Sequence, residues 1–315
     1  MSQISDDTKL SQLSIPGSHG SLTQESAKCQ SDEMFCLTQR LTLGQQLGAG
    51  VRFIDLTIKQ NDLDSQLFEC YHGTTNLKID LISVLDIMKE FLSHVPTETI
   101  IVSLQMVDYF EEIHSLDHLK RTLNTYMQNN PWLIYQGNFA NGRIGTPNLA
   151  SVRGKIFLLN YIQYFTEGRK IWLGSRSFRI DDSYRIGTTT VYNFPPNPMI
   201  KFTGSMSNPN CDDESIQSFV DDLINHILEA AKLNNPDLFY MTWTKYDNKC
   251  PCRSIVDKTF HQQLYKKWST KNLFGIGITA MDLLDKTQDI YAYIKNIIRF
   301  NMKRGMLIQL KFSPL

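Results

Sequence analysis

The sequence lacks several features that would point to particular classes of protein. It has no excess of one charge, since 32 lysines and arginines balance 32 aspartates and glutamates. Composition therefore indicates neither nucleic acid nor an anionic membrane as a partner. No apolar run approaches the roughly 20 residues that cross a bilayer, and segment 1–15 lacks the basic and apolar parts of a secretory signal. We expect a cytoplasmic protein by default, with export by a signal-independent route or a trimmed chain as alternatives.

The chain also has few cysteines for its length. Six cysteines in 315 residues are weak evidence for a disulfide framework. Cys250-Pro-Cys252 is too tight for the usual zinc-binding pairs, which need at least two intervening residues. Free or structural cysteines are favoured over a bridge between Cys29 and Cys36, and metal ligation is least favoured.

Short β-branched or aromatic runs alternate with amphipathic stretches along the whole chain, and neither a repeat nor a linker divides it. This alternation predicts one α/β domain over residues 1–315 and favours a barrel over an open sheet. The predicted strands are 13–15, 51–58, 67–71, 100–106, 156–160, 238–244 and 275–281, and the predicted helices are 81–94, 115–128, 212–232 and 289–300. Segment 188–210, rich in Gly, Pro and Asn, is predicted to be a long irregular loop.

Polar residues that suit acid–base chemistry follow or end several of these strands. His19 lies in a Gly-Ser-His-Gly turn after the first strand, His72 ends another strand, and Asp282 ends the last. Taken singly, a histidine beside a glycine is usually a turn residue, and a carboxylate after a strand is often a helix cap. Together on one rim, two histidines can take and give a proton across a substrate. Because a closed barrel brings the last strand beside the first, we expect Asp282 to orient His19.

The blocks that carry these residues resemble a known family. LSQLSIPGSHGSLT is followed by GVRFIDLTI, YHG, PTETIIVSLQ, RGKIFLLN and GIGITAMDLL. In this order and spacing they resemble the phosphatidylinositol-specific phospholipase C X-domain family, especially its small, single-domain bacterial type. The resemblance implies a distorted, incomplete TIM-type barrel that needs no cofactor or metal.

The resemblance also implies residue roles and partners. His19 matches the general base that deprotonates the inositol 2-hydroxyl, and His72 matches the general acid that protonates the leaving glycerol oxygen. Asp282 matches the carboxylate paired with the base, and Asp55 an acidic residue on the second strand. Arg153 matches a residue that contacts the inositol ring, with helix capping or a salt bridge as the alternative. The implied partners are a phospholipid or inositol-phosphate head group and, transiently, a membrane surface, but no nucleic acid. Oligomeric state is not indicated.

Three positions depart from the family pattern. Gly20 stands where Asp or Asn is usual, Thr57 replaces an arginine that neutralises the phosphate, and Gln105 replaces a lysine. Losing one preorganised electrostatic donor typically reduces the rate by about 10²–10³-fold. One candidate for a replacement cation is Lys59, which shares a strand face with Asp55 and Thr57. Lys245 and Arg179 are further candidates, whose positions the sequence does not indicate.

These departures leave three hypotheses open. The favoured one is an active, metal-independent phosphodiesterase with Thr57, Lys59, Gln105 and Arg153 near the substrate. The second is a catalytically impaired protein that binds phosphoinositide or another phosphorylated ligand. The third is a metal-dependent phosphodiesterase that uses oxygen ligands from Asp55, Glu69 or Asp282. Four aromatic residues are candidates for membrane contact, although packing is the favoured interpretation: Trp172, Tyr192, Phe194 and Trp243.

Overall fold

The computed structural model describes most of the chain. The described residues are 1–31, 36–106, 113–135, 146–160, 163–166, 169–172, 190–194, 197–203, 212–233, 238–244, 253–270, 275–282 and 289–301. Among the sequence-based candidates, Arg179, Lys245, Cys211, Cys250 and Cys252 lie outside these ranges.

Helices separate several of the strands in chain order. The strands are β1 (Ser14–Ser18), β2 (Phe53–Gln60), β3 (Phe68–His72), β4 (Thr75–Asp80), β5 (Thr99–Met106), β6 (Lys155–Asn160), β7 (Gln163–Thr166), β8 (Arg169–Trp172), β9 (Thr190–Phe194), β10 (Asn197–Thr203), β11 (Leu238–Trp243) and β12 (Gly277–Met281). The helices are α1 (Ala27–Ser31), α2 (Leu43–Ala49), α3 (Leu81–His94), α4 (Ile113–Asn129), α5 (Leu149–Val152), α6 (Asp213–Leu233), α7 (Arg253–Thr270) and α8 (Asp289–Arg299). Among the described residues, however, β2–β4 and β6–β10 follow one another without a helix between them.

Seven strands form a parallel sheet in the order β6-β5-β2-β1-β12-β11-β10. The first strand, β1, lies between β2 and β12, so segments from opposite ends of the chain meet at its two edges. Within the described residues β6 and β10 are not paired with each other, so the sheet does not close into a complete barrel. The α/β class and the incomplete barrel predicted from the sequence are confirmed.

The sheet buries a different apolar layer on each face, because successive side chains of a strand point to opposite sides. Phe53 of β2 packs on one face with Ile15, Ile101 and Ile278 of neighbouring strands. Ile54, Leu56 and Ile58 of β2 alternate with them and pack on the other face, in the cluster that contains the buried residues of α2, α3 and α6. Burial on both faces explains the near-continuous apolar runs of the strand sequences.

The helix starts follow local capping. Asp80 precedes α3 and accepts a hydrogen bond from the backbone N–H of Ser83 at 3.0 Å, which satisfies one of the free N–H groups of the first turn. Asp212 does the same for α6 through Ser215 at 2.8 Å. These backbone bonds also hold the pKa of Asp212 below its usual value. Helix α3 has the predicted bounds, and α4, α6 and α8 lie within two residues of theirs.

Three features differ from the sequence-based expectations. Segment 188–210 contains β9 and β10 instead of being irregular throughout, because its Val, Tyr, Phe and Ile residues lie between the turn formers. Strand β3 runs antiparallel to β2 as the second strand of a hairpin. Cys29 and Cys36 form a disulfide, against the favoured interpretation of free cysteines. The only described free cysteine is Cys70, which is buried.

No helix among the described residues combines the length and apolar character needed to cross a bilayer.

Candidate active site

His19 is the first residue after β1 and is hydrogen-bonded to Asp282 at the end of β12. The His19 Nδ1 atom lies 2.7 Å from Oδ1 of Asp282, and both residues are buried. The backbone N–H of His19 also donates to the carbonyl of Met281 at 3.0 Å. The carboxylate holds the Nδ1 proton, which leaves Nε2 as the proton acceptor of the imidazole. The pair therefore has the arrangement of an oriented general base.

The parallel register of β1 and β12 explains this contact. Ser18 pairs with Met281, so the next residues, His19 and Asp282, leave their strands side by side. The expectation that the last strand lies next to the first is confirmed. Ile278 and Ala280 lie in the apolar cluster that contains Phe53. Because side chains alternate along a strand, Asp282 points to that same face of the sheet.

The sequence did not indicate which strand pairing brings His72 close to His19. Strand β5 occupies one edge of β2, while β1 and β3 share the other. Strand β1 pairs with β2 up to Ile54, and β3 returns antiparallel to pair down to Thr57. The two histidines therefore converge on the short unpaired interval between these positions. Their ring centroids are 5.5 Å apart, and His72 is only partly buried.

Asp55 lies in this interval and binds the turn that follows His19. Its Oδ2 atom accepts from the backbone N–H of Gly20 at 3.1 Å. The backbone of Asp55 is held by Ser21, whose N–H donates to the Asp55 carbonyl and whose hydroxyl accepts from the Asp55 N–H. Asp55 thus orders the turn that follows His19 through both its side chain and its backbone.

Gly20 fills a position that no larger residue fits. Its φ is +52°, in the left-handed region. A Cβ atom added there would lie 2.7 Å from Nδ1 of His72 and 2.7 Å from the hydroxyl oxygen of Thr38. The side chain that the family usually places here is therefore replaced by direct packing of the His72 ring on the Gly20 backbone.

Two of the strand positions predicted to lie near the phosphate, Thr57 and Gln105, pair with each other and carry no charge. Thr57 pairs with Gln105 across β2 and β5, and with Tyr71 across β2 and β3. The ammonium of Lys59, two residues further along β2, lies 4.0 Å from the Asp62 carboxylate in the following turn. The role of Lys59 as the replacement cation stays a prediction.

Arg153 lies before β6 begins, and the contact with the inositol ring that the resemblance implied stays a prediction. Its guanidinium donates to the carbonyls of Met1, Ile4 and Thr97, at 3.1, 2.7 and 2.6 Å, and to the Asp6 carboxylate at 2.7 Å. Arg153 therefore anchors the N-terminal segment, which corresponds to the structural alternative considered for it.

Trp243 packs against the candidate base. Its ring centroid is 5.4 Å from that of His19 and 6.1 Å from that of Phe53, and the residue is buried. For Trp243 the packing interpretation is confirmed over membrane contact. The indole covers one side of the imidazole, which shields the His19–Asp282 pair from water and strengthens their electrostatic interaction.

Cys70 is near His72 in sequence but is unsuited to nucleophilic chemistry. Burial, reinforced by the negative charges of Asp80 and Glu69, raises the pKa of the Cys70 thiol well above its usual range. The thiol stays protonated at neutral pH, and the thiolate is the nucleophilic form.

Among the described residues no cluster of three or more His, Cys, Asp or Glu side chains is arranged to hold a metal ion. Glu69 instead accepts from the Asn61 amide at 3.1 Å in the hairpin.

The fold is an incomplete α/β barrel that brings a His–Asp pair and a second histidine together, and comparison with known proteins points to one family. Residues 13–161, just under half of the chain, match the family described as phosphatidylinositol-specific phospholipase C, X domain. Over these residues the chain is similar to that family. His19, Asp55 and His72 lie within the matched residues, and Asp282 lies beyond them.

Individual relatives agree with this similarity. The chain is 27% identical over 309 residues to 1-phosphatidylinositol phosphodiesterase of Listeria monocytogenes, covering 96% of this chain and 84% of the relative. It is 33% identical over 162 residues to the enzyme of the same name from Staphylococcus aureus strain Newman, about half of each chain (51% and 49%). The solved phosphatidylinositol-specific phospholipase C of Listeria monocytogenes superimposes with a TM-score of 0.71 at 22% identity, covering 96% of this chain and 97% of that one.

Proposed function

We propose that this protein is a phosphodiesterase that cleaves phosphatidylinositol-type phospholipids by histidine acid–base catalysis. The observation that carries the proposal is the arrangement of an oriented His19–Asp282 pair facing a second histidine, His72, with ring centroids 5.5 Å apart. Two histidines at this separation can contact opposite sides of one phosphodiester. The relatives named 1-phosphatidylinositol phosphodiesterase support the choice of substrate.

In the proposed reaction His19 takes the proton of the inositol 2-hydroxyl through Nε2. The 2-oxygen attacks phosphorus, and the bond from phosphorus to the glycerol oxygen breaks. His72, as the imidazolium, gives its proton to that glycerol oxygen. The products are diacylglycerol and a cyclic inositol phosphate. His19 ends as the imidazolium and His72 as the neutral imidazole. General acid and base steps of this kind typically contribute about 10²–10⁴-fold each.

The carboxylates have supporting roles in this proposal. Asp282 fixes the ring of His19 and stabilises the imidazolium that forms when the 2-hydroxyl is deprotonated. Asp55 holds the turn that follows His19 through the Gly20 N–H. Thr57 and Gln105, paired across adjacent strands, supply neutral hydrogen-bond donors toward the phosphate where the family pattern has cations.

We also propose that residues 1–315 act as one catalytic unit at a membrane surface. The site joins the residue that follows β1 to the residue that follows β12, so neither half of the chain contains it alone. The hairpin turn between β2 and β3, the strand that ends at His72, carries Leu63, whose side chain is 99% exposed. An exposed leucine at the tip of this hairpin is suited to contact the lipid surface that holds the substrate.

The test is cleavage of phosphatidylinositol in vesicles by the wild type and by His19→Ala, with and without chelator. His94→Ala, an exposed change at the end of α3, is the matched control. We expect cyclic inositol phosphate from the wild type and the control, insensitive to chelator, and a loss of about 10²–10⁴-fold in His19→Ala. Activity lost in chelator would favour the metal-dependent hypothesis. Vesicle binding without turnover would favour a binding protein, which the uncharged Thr57–Gln105 pair makes the second candidate.

A further inference from the structure

The turn that carries His19 is held by side chains from the segment between α1 and the end of α2. Three consecutive backbone carbonyls of the turn each accept a hydrogen bond from a different side chain of that segment. The donors are Gln39 Nε2 to His19 O at 2.6 Å, Thr38 Oγ1 to Gly20 O at 3.0 Å, and Gln46 Nε2 to Ser21 O at 2.7 Å. These bonds replace the strand pairing that ends at Ser18, since buried carbonyls need partners.

Gln39 differs from the other two donors because it also reaches the second strand of the site. The same Nε2 atom donates to the carbonyl of Met281 at 3.0 Å, and Met281 immediately precedes Asp282. One amide nitrogen therefore links the carbonyl of the candidate base to the peptide unit of its carboxylate partner. Gln39 is fully buried, so water does not compete for these bonds.

We propose that Gln39 is a positioning residue for the His19–Asp282 pair. The pair is formed by two short chain ends after β1 and β12, where regular ladder bonds stop. The backbone bond from the His19 N–H to the Met281 carbonyl also joins these two chain ends, and it acts on one side of the turn. The Gln39 amide binds the other side of the turn. It holds the backbone of His19 and the backbone of Met281 through one nitrogen atom. The kinetic part of this inference rests on the proposed function, whereas the structural part does not.

Gln46 offers a matched control for substitution. Like Gln39 it is fully buried, and its Nε2 donates to two carbonyls, those of Ser21 and Leu41, at 2.7 and 2.8 Å. Both glutamines also have a buried Oε1 atom without a hydrogen-bond partner among the described residues. Gln39→Met and Gln46→Met therefore remove the same groups and leave similar volume, but only Gln39 touches the backbone of His19 and Met281.

The first experiment measures the pair directly and needs no substrate. The Nδ1 proton of His19, held by Asp282, should give a low-field imidazole resonance in the proton NMR spectrum, absent in Asp282→Asn. We expect this resonance to be lost or exchange-broadened in Gln39→Met and retained in Gln46→Met. Thermal unfolding of both variants should show similar losses of stability. An unchanged resonance in folded Gln39→Met would overturn the inference.

The second experiment measures turnover of phosphatidylinositol vesicles. Because small displacements of reacting groups can reduce rates by up to about 10²-fold, we expect kcat of Gln39→Met to fall by about 10–100-fold with KM little changed. Gln46→Met should keep kcat within about threefold, since it does not touch the pair. In an Asp282→Asn background, Gln39→Met should cost little more, because both changes damage one unit.

The two experiments separate failure of the inference from failure of the proposed function. Equal kcat losses in the two methionine variants, or fully additive losses with Asp282→Asn, would overturn the positioning role. A wild type without turnover would contradict the proposed function, and the NMR comparison would still decide the role of Gln39.

Discussion

The imidazole Nδ1 of His19 lies 2.7 Å from Oδ1 of Asp282, although 263 positions separate the two residues in the sequence. The contact depends on the pairing of the first and last parallel strands. It joins the N-terminal segment, which matches the X-domain family, to a C-terminal segment beyond the match. The proposed general base is therefore assembled only in the complete sheet.

Replacing Asp282 by asparagine should disable this base while leaving the fold intact. The amide keeps the shape of the side chain but loses the charge that stabilises the imidazolium. We expect kcat to fall by about 10²–10⁴-fold, the usual range for an acid–base contribution, as measured on phosphatidylinositol vesicles. Asp222→Asn, on the exposed face of α6, is the control. Unchanged turnover in a folded Asp282→Asn protein would exclude the proposed pairing.

Restoring a cation at position 57 should increase the rate. Thr57 lies opposite Gln105 in the register of β2 and β5, where the family pattern places positive charge near the phosphate. A preorganised charged donor is worth about 10²–10³-fold in other sites, so we expect Thr57→Arg to raise kcat by at least about tenfold. Thr57→Gln, which has a similar reach but no charge, is the comparison. A rate that falls in both variants would indicate that another group already neutralises the phosphate.

Adding a methyl group at Gly20 should damage both stability and the site. The left-handed backbone there costs a non-glycine residue roughly 1–2 kcal/mol, and the new Cβ would meet His72 at 2.7 Å. We expect Gly20→Ala to unfold at lower denaturant concentration and to lose activity more than its stability explains. Gly44→Ala in α2, where a Cβ meets nothing within 4 Å, should instead increase the free energy of unfolding by about 0.5–1 kcal/mol. Activity retained in Gly20→Ala would mean that His72 does not act from its present position.

Acid should weaken the end of the sheet opposite the site through Glu98. Burial alone opposes ionisation of this carboxyl, but Arg52, bonded at 2.8 Å, and the amino terminus outweigh it and hold the pKa of Glu98 below the usual 4.5. A group whose pKa is depressed by folding stabilises the folded state above its unfolded value, and this stability is lost as the pH falls through the folded pKa. We therefore expect the melting temperature of the wild type to drop below about pH 4.5.

The Glu98→Gln variant checks the origin of that pH dependence. It should be less stable than the wild type at neutral pH, and the difference should narrow as the pH falls below 4.5. Glu90→Gln, on the exposed face of α3, should follow the wild-type curve. Parallel curves for wild type and Glu98→Gln would assign the acid sensitivity to other carboxyls.

Local patterns were sufficient to locate most elements of the fold. The amphipathic period of segment 81–94 predicted α3 to the residue, because that signal acts within a few turns. The antiparallel return of β3 was missed, since hydrophobic periodicity does not report strand direction. Strands β9 and β10 were missed because glycine, proline and asparagine dominate the composition around them.

The site was predicted in part for the same reasons. His19, His72 and Asp282 stand out because each lies in a short motif beside a strand end. Gln39 had no such signal, since a buried amide that bonds backbone carbonyls resembles any other glutamine in sequence. For Arg153 the sequence left two roles open, and only the structure shows that its guanidinium donates to the carbonyls of Thr97 and Ile4.

The sequence by itself determined the α/β class, the order of the elements and the candidate acid–base residues, because periodicity, capping and short motifs are local. The tertiary structure alone decided that β1 and β3 share one edge of β2, that the Cys29–Cys36 bridge forms, and that Gln39 spans the carbonyls of His19 and Met281. Those relationships join residues far apart in the chain. Strand register and packing set them, and no local pattern encodes either.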